Sequence, residues 1–142
     1  YGNFKIQLHA TDVDKKCMET AQAGEYEKVS LKNMDKKLLE KHFFYENGVY
    51  RVADEIHRLV NVHYLDLTTA SIVEQTDVIF CRNVFIYFDR NLQEQILMKF
   101  YKSLKPSGFL VMGKSESMIT EVKSIFQEID IEARLYRKIA SP

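Results

Sequence analysis

The chain has 142 residues, with 20 Lys+Arg balancing 20 Asp+Glu, 46% hydrophobic and 12% aromatic residues, but only five Gly and two Pro. That length suits one ordinary domain and the apolar fraction suffices for its core, so disorder, collagen-like repeats and low-complexity scaffolds are excluded. A net charge of zero shows neither the basic face of a nucleic-acid binder nor the Lys/Arg block of a membrane anchor.

The first segment, Phe4 to Ala10, is rich in β-formers and runs into Thr11-Asp12-Val13-Asp14, which can end a strand and cap a helix. A helix over Lys15 to Ala23 places Cys17, Met18 and Ala21 on one side, and Gly24 is the natural residue for its end. From Glu25 to Arg58, Leu38, Leu39, Phe43 and Phe44 stand at helical spacing. A turn at Glu46-Asn47-Gly48 and an extended Val49 to Val52 follow. This stretch is too short for a core of its own and reads as an insertion carrying a small sheet.

Leu59 to Leu65 is the next strand, ending in Asp66-Leu67, and Thr68 to Gln75 is a connection. Asp77-Val78-Ile79-Phe80-Cys81 is the clearest strand: a continuous apolar run of the kind covered on both faces of a parallel sheet. Asn91 and Glu94 form a capping box, and Leu92, Ile96, Phe100 and Leu104 mark the buried stripe of the following helix. Pro106-Ser107-Gly108 ends it, and Phe109 to Met112 is a short buried strand. Ser124 to Ile129 and Leu135 to Ile139 suit an antiparallel hairpin at the sheet edge. Alternating strands and helices predict an open α/β sheet.

Other signals are mostly absences. No run approaches the roughly 20 apolar residues that span a bilayer, and no signal-peptide pattern is visible, so the expectation is a soluble, cytoplasmic protein without membrane insertion. Cys17 and Cys81 are expected as free buried thiols. His9, His42, His57 and His63 lack ligand spacing, and no metal site is expected.

In open α/β sheets, ligands bind beyond the carboxyl ends of the strands, which selects three places. Asp12 follows the first strand, where it can accept from a ribose diol; helix capping by Asp12 or Asp14 is the competing reading. Asp66 follows a later strand and could simply end it. Arg82-Asn83 follows the apolar strand and must reach solvent, form salt bridges or find partners in a cleft. In the apolar stretch from Val84 to Phe88, Phe85 and Ile86 suit a core cover, while Tyr87 and Phe88 can wall a flat ligand. Lys114-Ser115-Glu116-Ser117 brings polar groups to the same sheet edge, or is a solvated loop.

The string Phe80-Cys81-Arg82-Asn83-Val84-Phe85-Ile86-Tyr87-Phe88-Asp89 resembles the signature of the CheR family of chemotaxis receptor methyltransferases. Collinear with it are Ala10 to Asp14, Gly24-Glu25-Tyr26, Val60 to Leu67, Leu104 to Leu110 and Gly113 to Ser117, so the resemblance covers essentially the whole chain. It implies a Rossmann-like class I methyltransferase sheet with a small antiparallel insertion at about residues 26–58 and a C-terminal antiparallel hairpin. It also implies an enzyme that methylates glutamate side chains of methyl-accepting chemoreceptors, with S-adenosyl-L-methionine as cofactor and S-adenosyl-L-homocysteine as product. By the same resemblance Asp12 binds the cofactor's ribose and Asp66 and Leu67 lie at the adenine, where the family often has Asn-Leu. Arg82 and Asn83 line the methionine part, and Tyr87 stands near the transferable methyl. The implied partners are the receptors' cytoplasmic domain and, in some members, a receptor-tail peptide held by the inserted subdomain. Lys114 stands where the family usually has His.

Such a reaction needs no His, Cys or Ser constellation, because a glutamate nucleophile is already ionised near pH 7. Alignment and desolvation supply most of the acceleration. The same resemblance implies that the family's first strand, its glycine loop and an N-terminal helical domain are not in this sequence, so residues 1–142 form an N-terminally incomplete methyltransferase domain. Three arrangements resolve the gap: an ordered part of a longer protein, a fragment completed by another chain, or Phe4 to Ala10 pairing directly with Asp77 to Cys81. The expectation is that this chain alone binds S-adenosylmethionine weakly and is inactive. The alternative is a non-catalytic, methyltransferase-like module for interaction or cofactor sensing.

Overall fold

The computed structural model describes residues 5–139, which divide into two compact units with the boundary between Asp66 and Leu67. In the first unit, β1 (Leu8–Asp12) is followed by α1 (Lys15–Ala23). Asp14 caps α1, its carboxylate accepting from the backbone N–H of Lys16 and Cys17. Gly24 closes the helix at φ 66°, the left-handed conformation that glycine adopts without a side-chain clash. A Cβ there would stand 2.9 Å from Val52 Cγ1, so the position is held to glycine by packing as well.

After β2 (Glu25–Tyr26) comes α2 (Lys36–His42), capped by Asp35, and then β3 (Phe43–Glu46) and β4 (Val49–Val52). These three strands form an antiparallel sheet in the order β2-β4-β3. Asn47 and Gly48, at φ 51° and 87°, make the two-residue turn whose twist suits a hairpin. Phe43 and Phe44 therefore belong to a strand and not to the helix their spacing suggests, because pairing with Val52 and Arg51 satisfies their backbone. The short α3 (Asp54–His57) leads to β5 (Val60–Tyr64), which pairs in parallel with β1, Leu8 opposite Val60 and Asp12 opposite Tyr64. His57 Nε2 lies 2.9 Å from the carbonyl of Gln22, tying α3 to the end of α1.

The second unit is built on β6 (Thr76–Cys81), α4 (Arg90–Ser103) and β7 (Leu104–Met112), a parallel βαβ crossover with Ile79 opposite Leu110 and Cys81 opposite Met112. The hairpin β8 (Phe126–Asp130) and β9 (Leu135–Lys138) adds antiparallel strands to give the order β6-β7-β9-β8, as the tail's pattern suggests. Ile96, Leu97 and Phe100 of α4 pack on Leu104, Leu110, Met112, Val122, Phe126 and Tyr136. Lys138 Nζ donates to the carbonyls of Tyr101 and Leu104, placing a cation on the open end of α4.

Several expectations need correction. The N-cap of α4 is Asp89, which accepts from Leu92 N, and Asn91 lies inside the helix. Pro106-Ser107-Gly108 does not precede the strand but lies within β7, which starts at Leu104 as soon as the helix ends. β6 is not covered on both faces: Cys81 is buried, but Val78 is 42% and Phe80 73% exposed. Cys17 is exposed, because α1 buries none of its side chains fully. Phe4 lies outside the described residues, and the strand begins at Leu8 and extends through Asp12. The direct pairing of that strand with 77–81 is not found: among the described residues β1 pairs with β5 and β6 with β7.

Candidate functional site

In the second unit, the chain leaves β6 at Cys81 and turns within a few residues. Arg82 and Asn83 are exposed, and Asn83 adopts φ 60°, a left-handed conformation that Asn tolerates better than most residues. A short 3-10 turn, Phe85–Tyr87, follows. It sends Phe85 into the core at 3% exposure, against Phe100 and Phe88, and leaves Tyr87 80% exposed. One aromatic ring of the turn is thus an anchor and the other is presented to solvent.

Two side chains fix this turn from below. Glu116 Oε1 accepts from Phe85 N at 2.8 Å; its Oε2 accepts from Asn83 N at 2.9 Å and from Gly113 N, at the end of β7, at 2.6 Å. Gln93 of α4 donates through Nε2 to the carbonyls of Phe85 and Phe88, both at 3.0 Å. An acceptor thus holds the turn's N–H groups while a donor holds its C=O groups, satisfying backbone that a tight loop would otherwise bury unpaired. Glu116 is 5% exposed, so the reading of Lys114 to Ser117 as a solvated loop fails at its third residue, while Lys114, Ser115 and Ser117 are exposed. Burial, and next the charge of Glu116, pushes the Cys81 thiol up to about 12, which leaves it unsuited to nucleophilic work near neutral pH.

Leu67 opens the same unit, half-buried, and its carbonyl accepts from Lys99 Nζ at 2.9 Å. The same ammonium takes the carbonyls of Thr68 and Ala70 at 3.0 and 3.3 Å, pinning the segment after β5 to α4. Sequence reasoning missed Glu116, Gln93 and Lys99 as holding residues. Only Glu116 carried a signal, as part of the polar block after β7.

In the first unit, Asp12 is the last residue of β1. Its Oδ1 accepts from Asp14 N at 2.9 Å and its carbonyl from Leu65 N at 3.1 Å. Because β1 and β5 are parallel, Asp12 and Asp66 come to the same end of this two-stranded sheet. Asp14, and not Asp12, caps α1, which leaves the exposed Asp12 carboxylate one oxygen without a hydrogen bond among the described residues. No group of three or more His, Cys, Asp or Glu among the described residues is placed to hold a metal ion. None of their helices is long and apolar enough to cross a membrane.

Each unit pairs parallel strands connected through helices, β1 with β5 and β6 with β7, which places both in the α/β class. The chain matches the family model described as CheR methyltransferase, SAM binding domain, over residues 1–135, and it belongs to that family. It is 36% identical over 122 residues to a chemotaxis protein methyltransferase of Escherichia coli, covering 82% of this chain and 42% of that protein. It is 34% identical over 141 residues to a probable chemotaxis protein methyltransferase of Rhizobium etli, covering 95% of this chain and 52% of that one. The chain thus spans about half the length of the curated relatives it matches. Its fold is also similar to the crystal structure of a possible exported protein from Bordetella parapertussis, with TM-score 0.56, 16% identity and coverage of 94% of this chain and 54% of that one.

Proposed function

We propose that the protein carrying this chain transfers the methyl group of S-adenosylmethionine to glutamate side chains of chemoreceptors, forming methyl esters. Support comes from family membership over 1–135, but the observation that carries the reading is the turn after β6, which holds Arg82, Asn83 and Tyr87 on one rigid element. The types of side chain fit the cofactor. The Asp12 carboxylate can accept from ribose hydroxyls, the Arg82 guanidinium can pair with the methionine carboxylate, and Asn83 can both donate and accept. Asp66 and Leu67 are proposed at the adenine, and Tyr87 beside the transferred methyl.

When bound, the cofactor supplies an electrophilic methyl on a sulfonium sulfur. The chain's residues then have no proton to remove, since the acceptor carboxylate is already ionised near neutral pH. Their work is to align the two reactants and exclude water, which suits a turn pinned on both its donors and its acceptors. Residues 1–142 are proposed as part of one methyltransferase domain, with 26–58 as an inserted subdomain. The edge strand β3, where Phe44 and Tyr45 are 60% and 67% exposed, supports addition of a receptor-tail peptide as a further strand.

The reading is tested by titrating the full-length protein with S-adenosylhomocysteine. Arg82→Ala and Asp12→Ala are each expected to weaken binding by about 10-fold or more, since each removes a charged hydrogen-bond partner. Unchanged affinity in both variants would refute the assigned site.

A further inference from the structure

We infer that Glu116 is a positioning residue for the methyl transfer, its carboxylate fixing the turn, left-handed at Asn83, that presents Arg82, Asn83 and Tyr87; this rests on the function proposed above. Three backbone donors from two separate segments converge on this one carboxylate: Asn83 and Phe85 from the turn, and Gly113 from the end of β7. It is 5% exposed, and the salt bridges found among the described residues engage other acids. A buried carboxylate is tolerated when its lone pairs are taken, and here the partners that take them are the backbone groups shaping the turn.

Gly113 completes the arrangement. A Cβ at that position would stand 2.2 Å from Asn83 Oδ1 and 2.7 Å from Asn83 N, so the turn crosses directly over a residue that has no side chain. This close crossing lets one carboxylate reach donors on both segments. Asn83 then holds φ 60°, and beyond it Phe85 is driven inward and Tyr87 outward.

An amide cannot replace the carboxylate. Oε1 faces one N–H and Oε2 faces two, so a glutamine must turn its NH₂ group toward at least one backbone donor. Either the Phe85 bond or the Asn83 and Gly113 pair is lost while the side chain's volume is unchanged. Glu116→Gln thus separates the charge and hydrogen-bond pattern from packing.

The test compares the full-length wild type with Glu116→Gln at a temperature well below both melting transitions. We expect S-adenosylhomocysteine to bind the variant at least about 10-fold more weakly, with the Asn83, Phe85 and Gly113 amide protons moved upfield and exchanging faster, while amides of α4 keep their protection. A folded variant that binds within about twofold of wild type would overturn the inference and leave the proposed function standing, since Glu116 would then serve stability alone. A wild type that binds no cofactor would overturn the proposed function and the positioning role with it. Should the variant fail to fold, exchange in the wild type decides: Asn83 and Phe85 amides as protected as those of β6 support the clamp, and free exchange at both refutes it.

Discussion

Replacing Gly113 by Ala should unfold the end of the second unit's sheet at a much lower temperature. The added methyl would meet Asn83 Oδ1 at 2.2 Å, Glu116 Oε2 at 2.6 Å and Asn83 N at 2.7 Å, and one of these is backbone held by a charged hydrogen bond. Overpacking of a tight site costs about 1–3 kcal/mol. Pulling the Asn83 N–H away from Glu116 adds about 1.5–3 kcal/mol, since bonds to charged groups are the strong ones. The combined loss of about 4 kcal/mol is a large part of an ordinary domain's stability, and in a unit of this size it lowers Tm by about 20 °C. Gly48→Ala is the matching control. Nothing lies within 4 Å of a Cβ there, so only the φ of 87° opposes it and about 1 kcal/mol is expected. Thermal melts followed by circular dichroism measure both. A Gly113→Ala variant melting within roughly 3 °C of wild type would show that the Asn83, Gly113 and Glu116 junction yields, refuting the rigidity assigned to the turn.

Lys99→Met keeps most of the side chain's volume but removes the ammonium from the carbonyls of Leu67, Thr68 and Ala70; about 2 kcal/mol of stability should be lost, with faster amide exchange over 67–75. At pH 8 a thiol reagent should modify the exposed Cys17 and leave Cys81 unreacted until the protein unfolds; equal rates would contradict the burial of Cys81. Because the folded fold favours the neutral Cys81 thiol, its contribution to stability is complete below the ordinary value of 9.0 and is lost as pH rises toward about 12. Tm should therefore fall across that interval, and Cys81→Ala should flatten the fall. The chain by itself should bind S-adenosylhomocysteine only weakly, because β6 leaves Phe80, in the strand that leads to Arg82 and Asn83, 73% exposed. Calorimetric titration showing micromolar affinity would contradict this.

Much of the fold was legible because local chemistry and tertiary packing agree. The apolar run 77–81, the Ile96 and Phe100 stripe, Gly24 at a helix end and Asn47-Gly48 in a hairpin each have one stable solution, and the structure adopts it. The misses fall where two local solutions compete. Phe43 and Phe44 satisfy a helical spacing and a strand alike, and pairing with β4, invisible in a single segment, decides. Asp89 and Asn91 are both capping residues two positions apart, and Asp89 wins with its bond to Leu92 N. Phe80 reads as interior because it sits in an apolar run, but a run does not say which face is covered. Within the candidate site, the exposure of Arg82 and Asn83 is legible from their place directly after a strand. What holds them is not: Glu116 bonds to residues 31 and 33 positions away, and an acid in a polar block gives no sign that it is buried.

Carboxyl methylation of a chemoreceptor by the full-length protein can be read from the transferred methyl group itself. The full-length protein would be incubated with S-adenosylmethionine labelled in its methyl group and membranes containing methyl-accepting chemoreceptors, and the receptor then treated with mild alkali. Label is expected on the receptor, and base should release it as methanol. Base-stable label, or no label from a folded protein that binds the cofactor, would contradict carboxyl methylation.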